Sequence, residues 1–294
     1  MFNMKHPFSQ IVGLSMLAMA AFFTGCEEVP PFIDYSKKVV LAKDTTYFID
    51  VLPAAENKNV LIEDLSGVRC VNCPDANVTA KNIQAKNPDR VVVLTLFPTS
   101  LKNFTTPYVG EDTLVTQDAE NIMTQILKTP TGLPSGAVDR IKYSAEPSIT
   151  MRETKWEKYT NDQLLLKSKV NTTLELAKDE SQRKMVANVK AVFTESFSHP
   201  VYMTLMLVES EIESKQDTKG GEVEDYVHHH VLRKCITPYN GIQLAATIEK
   251  GRVFEKGFEI EIPEKYKFSK CSVVAIINLN EADNKEVLQS VEAK

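Results

Sequence analysis

The pair Cys70-Val71-Asn72-Cys73, followed by Pro74, constrains this chain more than any other feature. It stands between a strand-like run, Asn59–Leu65 (NVLIEDL), and a helix-like stretch at 75–87 that carries Ala76, Ala80 and Ile83 at i, i+4 and i+7 and stops at Asn87-Pro88. A C-x-x-C pair in that setting is a redox dithiol, half of a zinc site or an inert disulfide. Zinc needs four ligands, and the other two downstream cysteines, Cys235 and Cys271, lie far along the chain with no close pair between them. No metal and no cofactor are therefore expected. Cys235 and Cys271 could instead cross-link two strands, for which sequence alone supplies no geometry.

The elements that follow the pair alternate. Val91–Phe97 (VVVLTLF) is a continuous apolar run of strand length, as in strands buried on both faces. The stretch from Asp112 to Lys128 places Leu114, Val115, Ala119, Ile122, Met123, Ile126 and Leu127 on one helical face. Pro130 ends it, Gly132-Leu133-Pro134-Ser135 turns into another strand, and residues 147–163, with Trp156 and Tyr159, close with a helix. Strand and helix in alternation are an α/β order. Beyond about Leu164 the pattern becomes short alternating runs at 167–177, 184–194, 201–211, 225–236, 251–262, 271–279 and 286–292, separated by polar loops such as Ser214–Glu222. That spacing predicts an antiparallel sandwich. Trp156 is expected in the core rather than in a ligand platform.

The first 25 residues read as an address. Lys5 precedes an apolar stretch from Ile11 to Phe23 that is too short to span a bilayer comfortably, and Thr24-Gly25 leads into Cys26. Phe23-Thr24-Gly25-Cys26 resembles a bacterial lipobox, with Phe23 in place of the usual aliphatic residue. The resemblance implies cleavage before Cys26 and acylation of Cys26 by palmitate-type chains, at about 0.8 kcal/mol per buried CH₂. The chain would then meet the membrane through lipidated Cys26. Glu27 and Glu28 resemble export signals after the lipid cysteine of some surface lipoproteins, which points to the outer membrane. Export also puts the remaining cysteines where disulfides persist.

With 34 basic and 39 acidic residues and a pI near 5.7, the chain has no basic stripe for a phosphate backbone, and nucleic acid is excluded as a partner. No G-x-S-x-G, P-loop, H-E-x-x-H or G-x-G-x-x-G motif supports a hydrolase, kinase or dinucleotide enzyme. His228 and His230 would share one strand face with Glu222 or Glu224, an arrangement that suits either a metal or, preferably, polar cross-strand partners.

The order strand, C-x-x-C, helix, buried strand, helix, Gly132-Leu133-Pro134-Ser135, strand is similar to thioredoxin-like proteins over roughly residues 55–160. The wider chain, with its lipobox, Gly67–Pro74 (GVRCVNCP), Gly132–Arg140 (GLPSGAVDR) and Tyr226–Arg233 (YVHHHVLR), resembles the outer membrane protein twenty-eight family of lipoproteins. The resemblance implies a signal peptide at 1–25, a lipid-anchored tether with edge strands at 26–54, a thioredoxin-like α/β domain at 55–163 and an immunoglobulin-like all-β sandwich at 164–294. Two functions are compatible with it. One is a binding or adhesion module for a protein or glycan. The other is a tethered thiol-disulfide oxidoreductase in which Cys70 attacks, Cys73 resolves and Pro134 shapes the groove. Arg69 would place a positive charge beside Cys70, whereas a helix starting at Pro74 would leave Cys70 a turn outside it.

Overall fold

The computed structural model describes residues 44–294, and the signal peptide, Cys26 and the first part of the tether lie outside the described residues. The described chain is mostly β, with several sheets and few helices. Strand β1 (Asp44–Phe48) is followed by β2 (Val60–Leu65), helix α1 (Cys73–Lys86) and β3 (Val91–Leu96). A short α2 (Lys102–Thr105), α3 (Gln117–Asn121), β4 (Ser135–Val138) and α4 (Trp156–Leu164) come next. The remainder is strand: β5 (Val170–Asp179), β6 (Lys184–Phe193), β7 (Val201–Glu209), β8 (Ile212–Thr218), β9 (Gly221–His228), β10 (Val231–Cys235), β11 (Ile242–Ala245), β12 (Arg252–Glu261), β13 (Cys271–Leu279) and β14 (Val287–Ala293).

The main sheet runs in the order β14-β13-β7-β10-β3-β2-β4, with β11 also paired to β7, and a second sheet runs β1-β12-β6-β5. β2 and β3 are parallel, as their joining through α1 requires, and β4 returns antiparallel to β2 with Ser135 opposite Leu65. β10 pairs in parallel with β3 at Val231↔Thr95 and antiparallel with β7 on its other side.

Alternation along the strands sorts the core into layers. Leu61, Leu94, Met206 and Ile276 all face α3 and the π-helical turn Ile122–Leu127 that continues it. The opposite face divides. Val60, Ile62, Val91 and Val93 pack under α1 and α4 with Ala80, Ile83 and Trp156, whereas Met203, Leu205, Val273 and Ala275 pack on Ala187, Val189 and Phe254 of the second sheet. That second contact is the sandwich, with two sheets facing each other across an apolar layer.

Two expectations are corrected. The amphipathic helix begins only at Gln117, because the Thr116 hydroxyl accepts the Ala119 N–H (3.1 Å) and caps it, while Leu114 packs in a separate cluster with Phe97 and Val68. The polar stretch Ser214–Glu222 is no loop: it lies in the β8–β9 hairpin, a two-stranded sheet of its own. Its inner face is held by buried polar groups such as Gln216 and Ser214 instead of apolar ones, so it lacks the alternation that marks a strand. β1, within the stretch where edge strands are expected, lies at the edge of the second sheet and pairs antiparallel with β12 from Asp44↔Lys256 to Phe48↔Arg252.

Candidate functional site: a covered disulfide and an adjoining cavity

Cys70 and Cys73 are joined in a disulfide, and both are buried. The loop that holds them is tight for a local reason. A Cβ on Gly67 would lie 2.5 Å from the Phe104 carbonyl oxygen, so the chain can pass there only as glycine. The Cys70 N–H then donates to Gly67 O (3.0 Å) and the Cys73 N–H to Cys70 O (3.1 Å), and α1 starts at Cys73 itself, one residue before Pro74. Cys73 therefore sits in the first turn, where free N–H groups and the helix dipole favour negative charge. Arg69 does not act on Cys70 as expected. Its Nε donates to Thr106 O (2.8 Å) and its guanidinium lies 4.0 Å over the Tyr108 ring.

The hairpin β8–β9 lies across this loop. Gln216, fully buried, donates through Nε2 to Gly67 O (3.1 Å) and Cys70 O (3.2 Å), and the Asp217 N–H donates to Val68 O (2.8 Å). Around that centre the Tyr108 hydroxyl donates to Asp217 (2.6 Å), Asn77 Nδ2 donates to the Tyr226 hydroxyl (3.0 Å), and Lys219 pairs with Asp75 (2.5 Å). The outer pair is solvent-exposed and worth little, but the bonds to buried Gln216 are protected from water.

Pro134 follows a cis Leu133–Pro134 peptide and immediately precedes β4. Leu133 belongs to the same apolar cluster as Cys70 and Cys73, so the fold brings that segment to the dithiol's side of the sheet. The rest of Gly132–Arg140 is structural. A Cβ on Gly136 would fall 2.5 Å from the Trp156 ring, Asp139 pairs with Lys58 (3.2 Å), and Arg140 holds Glu63 through two bonds of 2.9 and 2.7 Å. All four charged groups are buried. Burial pushes the Asp139 carboxyl up to about 6, against the pull of Lys58.

The histidines do not form the expected strand face. β9 ends at His228, which packs against Phe97 and Tyr226, while His230 has a positive φ of 55° and turns away from the alternation. Glu222 and Glu224 are engaged by Lys215. Burial holds His228 and His230 down at about 4, so both imidazoles are neutral. Among the described residues no three His, Cys, Asp or Glu side chains gather to hold a metal. Cys235 and Cys271 are free, buried thiols in different apolar layers on the two faces of the main sheet, which is why they do not bond to each other. Burial raises both thiol pKa values, Cys271 to about 11, so they are unreactive.

One residue went unnoticed in the sequence. Asp64, in the middle of an apolar strand, is completely buried with neither carboxylate oxygen hydrogen-bonded. Desolvation, reinforced by Glu153, lifts it to about 8, so it holds its proton at neutral pH. It lines a cavity of about 340 Å³ between α1 and β9. The signal was an acidic pair, Glu63-Asp64, inside a run otherwise fit for burial.

Among solved structures the chain is similar to HBP35 of Porphyromonas gingivalis, with a TM-score of 0.64 and 14% identity over 82% of this chain and 76% of that one. It is also similar to a structural-genomics protein of Agrobacterium tumefaciens, with a TM-score of 0.49 and 11% identity over 81% of this chain and 95% of that one. At such identities the HBP35 likeness speaks to fold alone. No curated protein matches the chain. No helix among the described residues is long and apolar enough to cross a membrane. The model of the outer membrane protein Omp28 family matches residues 126–294, more than half of the sequence, and the chain belongs to that family of outer membrane proteins.

Proposed function

We propose that the protein is a recognition module held at the outer membrane by lipidated Cys26, in which a thioredoxin-like α/β end (55–163) and an immunoglobulin-like sandwich (164–294) present a surface to a protein or glycan and the Cys70–Cys73 bond is structural. The β–α–β arrangement of β2, α1 and β3, with the C-x-x-C pair at the start of α1 and Pro134 entering β4, supports the thioredoxin-like reading. The observation that carries the structural role is the hairpin: Gln216 and Asp217 are bonded to the backbone of the dithiol loop, so a partner thiolate has no open approach to a buried sulfur.

A second reading, a tethered thiol-disulfide oxidoreductase using Cys70, Cys73 and Pro134, is favoured by Cys73 at the first residue of a 14-residue helix. One experiment separates the two. The detergent-solubilised full chain is equilibrated with glutathione redox buffers, and its exchange rate and potential are measured. The structural role predicts slow exchange and a potential below about −300 mV. Rapid exchange with a potential between about −270 and −120 mV, abolished in Cys70→Ser, would establish the oxidoreductase instead. For the anchor, Cys26→Ser should lose acyl labelling and move to the soluble fraction; membrane retention of that variant refutes the tether.

A further inference from the structure

The cavity beside α1 is built around an unanswered carboxyl. Asp64 projects from the face of β2 that also carries Val60 and Ile62, and so lies under α1. Both of its oxygens are buried without a partner, and burying a polar group unpaired costs about 1–3 kcal/mol. A second orphan lines the same cavity, His230 Nδ1, also buried and unbonded. Val78, Val93, Tyr226 and Val227 also line it.

The charge pattern selects the ligand. Two buried acceptors without a donor call for a hydrogen-bond donor, and Glu153, outside the lining and paired with Arg152, acts on Asp64 with the same sign and so disfavours a further negative charge beside it. Both nearby histidines are shifted towards neutrality by burial and can accept an N–H. Lys81 is the opposing cation; it is exposed at the rim, where water screens it. Asp64 gives up its proton near pH 8, so its ionisation at neutral pH is a small cost beside the attraction of a desolvated ammonium.

We propose that this cavity binds a small organic monocation, a primary ammonium on a short apolar or aromatic body, with Asp64 as counter-ion and His230 Nδ1 as acceptor. On binding, the Asp64 proton leaves to solvent and the ammonium takes its place, so one positive charge is exchanged for another. The inference goes beyond tethered recognition and is independent of the dithiol.

Calorimetric titration of the full chain in non-ionic detergent with benzylamine, benzyl alcohol and benzoate tests it. Benzylamine should bind at least tenfold more tightly than either of the others. Asp64→Asn, an uncharged isostere, should reduce benzylamine to the level of benzyl alcohol, and Val227→Trp at the half-exposed rim should block both. The proposal is overturned if none of the three binds, if benzyl alcohol or benzoate equals benzylamine, or if Asp64→Asn keeps the preference. Should Asp64→Asn fail to fold, Val227→Trp decides: undiminished benzylamine binding in that variant places the ligand elsewhere and refutes the site.

Discussion

The two ends of the main sheet solve burial differently. Where β7 and β13 face the second sheet, the layer is chiefly Val, Ile, Met, Leu, Ala and Phe, with Lys178 Nζ donating across to Cys271 O (2.7 Å). On and beside β2 and β4, counting both faces, five ionisable groups are buried: Lys58, Glu63, Asp64, Asp139 and Arg140, beyond the Glu209–Arg233 pair between β7 and β10. Four of them answer one another as two ion pairs, and the fifth does not. The contrast locates where this molecule spends stability on polar groups, and such groups mark sites more often than apolar layers do.

Breaking an ion pair should hurt most. Arg140→Ala strands Glu63 in the sheet interior and should cost about 3–5 kcal/mol by urea unfolding, whereas replacing both partners, Glu63→Leu with Arg140→Met, should recover most of that loss. A single-variant loss under about 1 kcal/mol would mean the charged end is no more demanding than the apolar one.

Asp64 offers an intermediate effect with a defined pH window. Its folded pKa lies above the unfolded value, so the native state binds the extra proton and stability falls as pH rises from about 4 to about 8. Asp139 acts in the same direction but is finished by about 6, and His228 and His230, depressed to about 4, act oppositely and are finished near their unfolded value of about 6.5. Between pH 6.5 and 8 Asp64 is left to set the slope. Over that range the wild type should lose about 2 kcal/mol relative to Asp64→Asn, roughly 1.4 kcal/mol per pH unit. Parallel stability curves would show that Asp64 has a partner in solution.

The smallest effect belongs to the sandwich. Ile277→Val removes one methylene from the apolar cluster and unpairs no polar group, and should cost about 0.5–1.5 kcal/mol with no pH dependence. A steeper or pH-dependent loss would erase the distinction between the ends.

Local pattern carried the sequence reading as far as local physics reaches. The β3 run, the Ala76/Ala80/Ile83 stripe of α1, the burial of Trp156 and most sandwich strands follow from periodicity within a few residues. The β8–β9 hairpin does not, because Gln216 is buried by bonding to a loop 146 to 149 positions away and looks in sequence like any loop glutamine. The same holds for the union of β10 with β3, which rests on pairing between segments more than a hundred residues apart. Asp64 went unnoticed for the same reason, since the meaning of an acidic pair in an apolar strand depends on the absence of any partner among the elements that cover it.

The first described strand has a protective consequence. β1 is exposed along its whole length and contributes nothing to the apolar layers, yet it occupies the outer edge of β12 from Arg252 to Lys256. β1 covers five of the ten residues of β12, and an unpaired strand edge is a template for another chain's strand. The first described strand thus doubles as a guard against self-association. Removing residues 44–48 would bare the ladder to neighbouring copies, an effect read as concentration-dependent aggregation while the core remains intact.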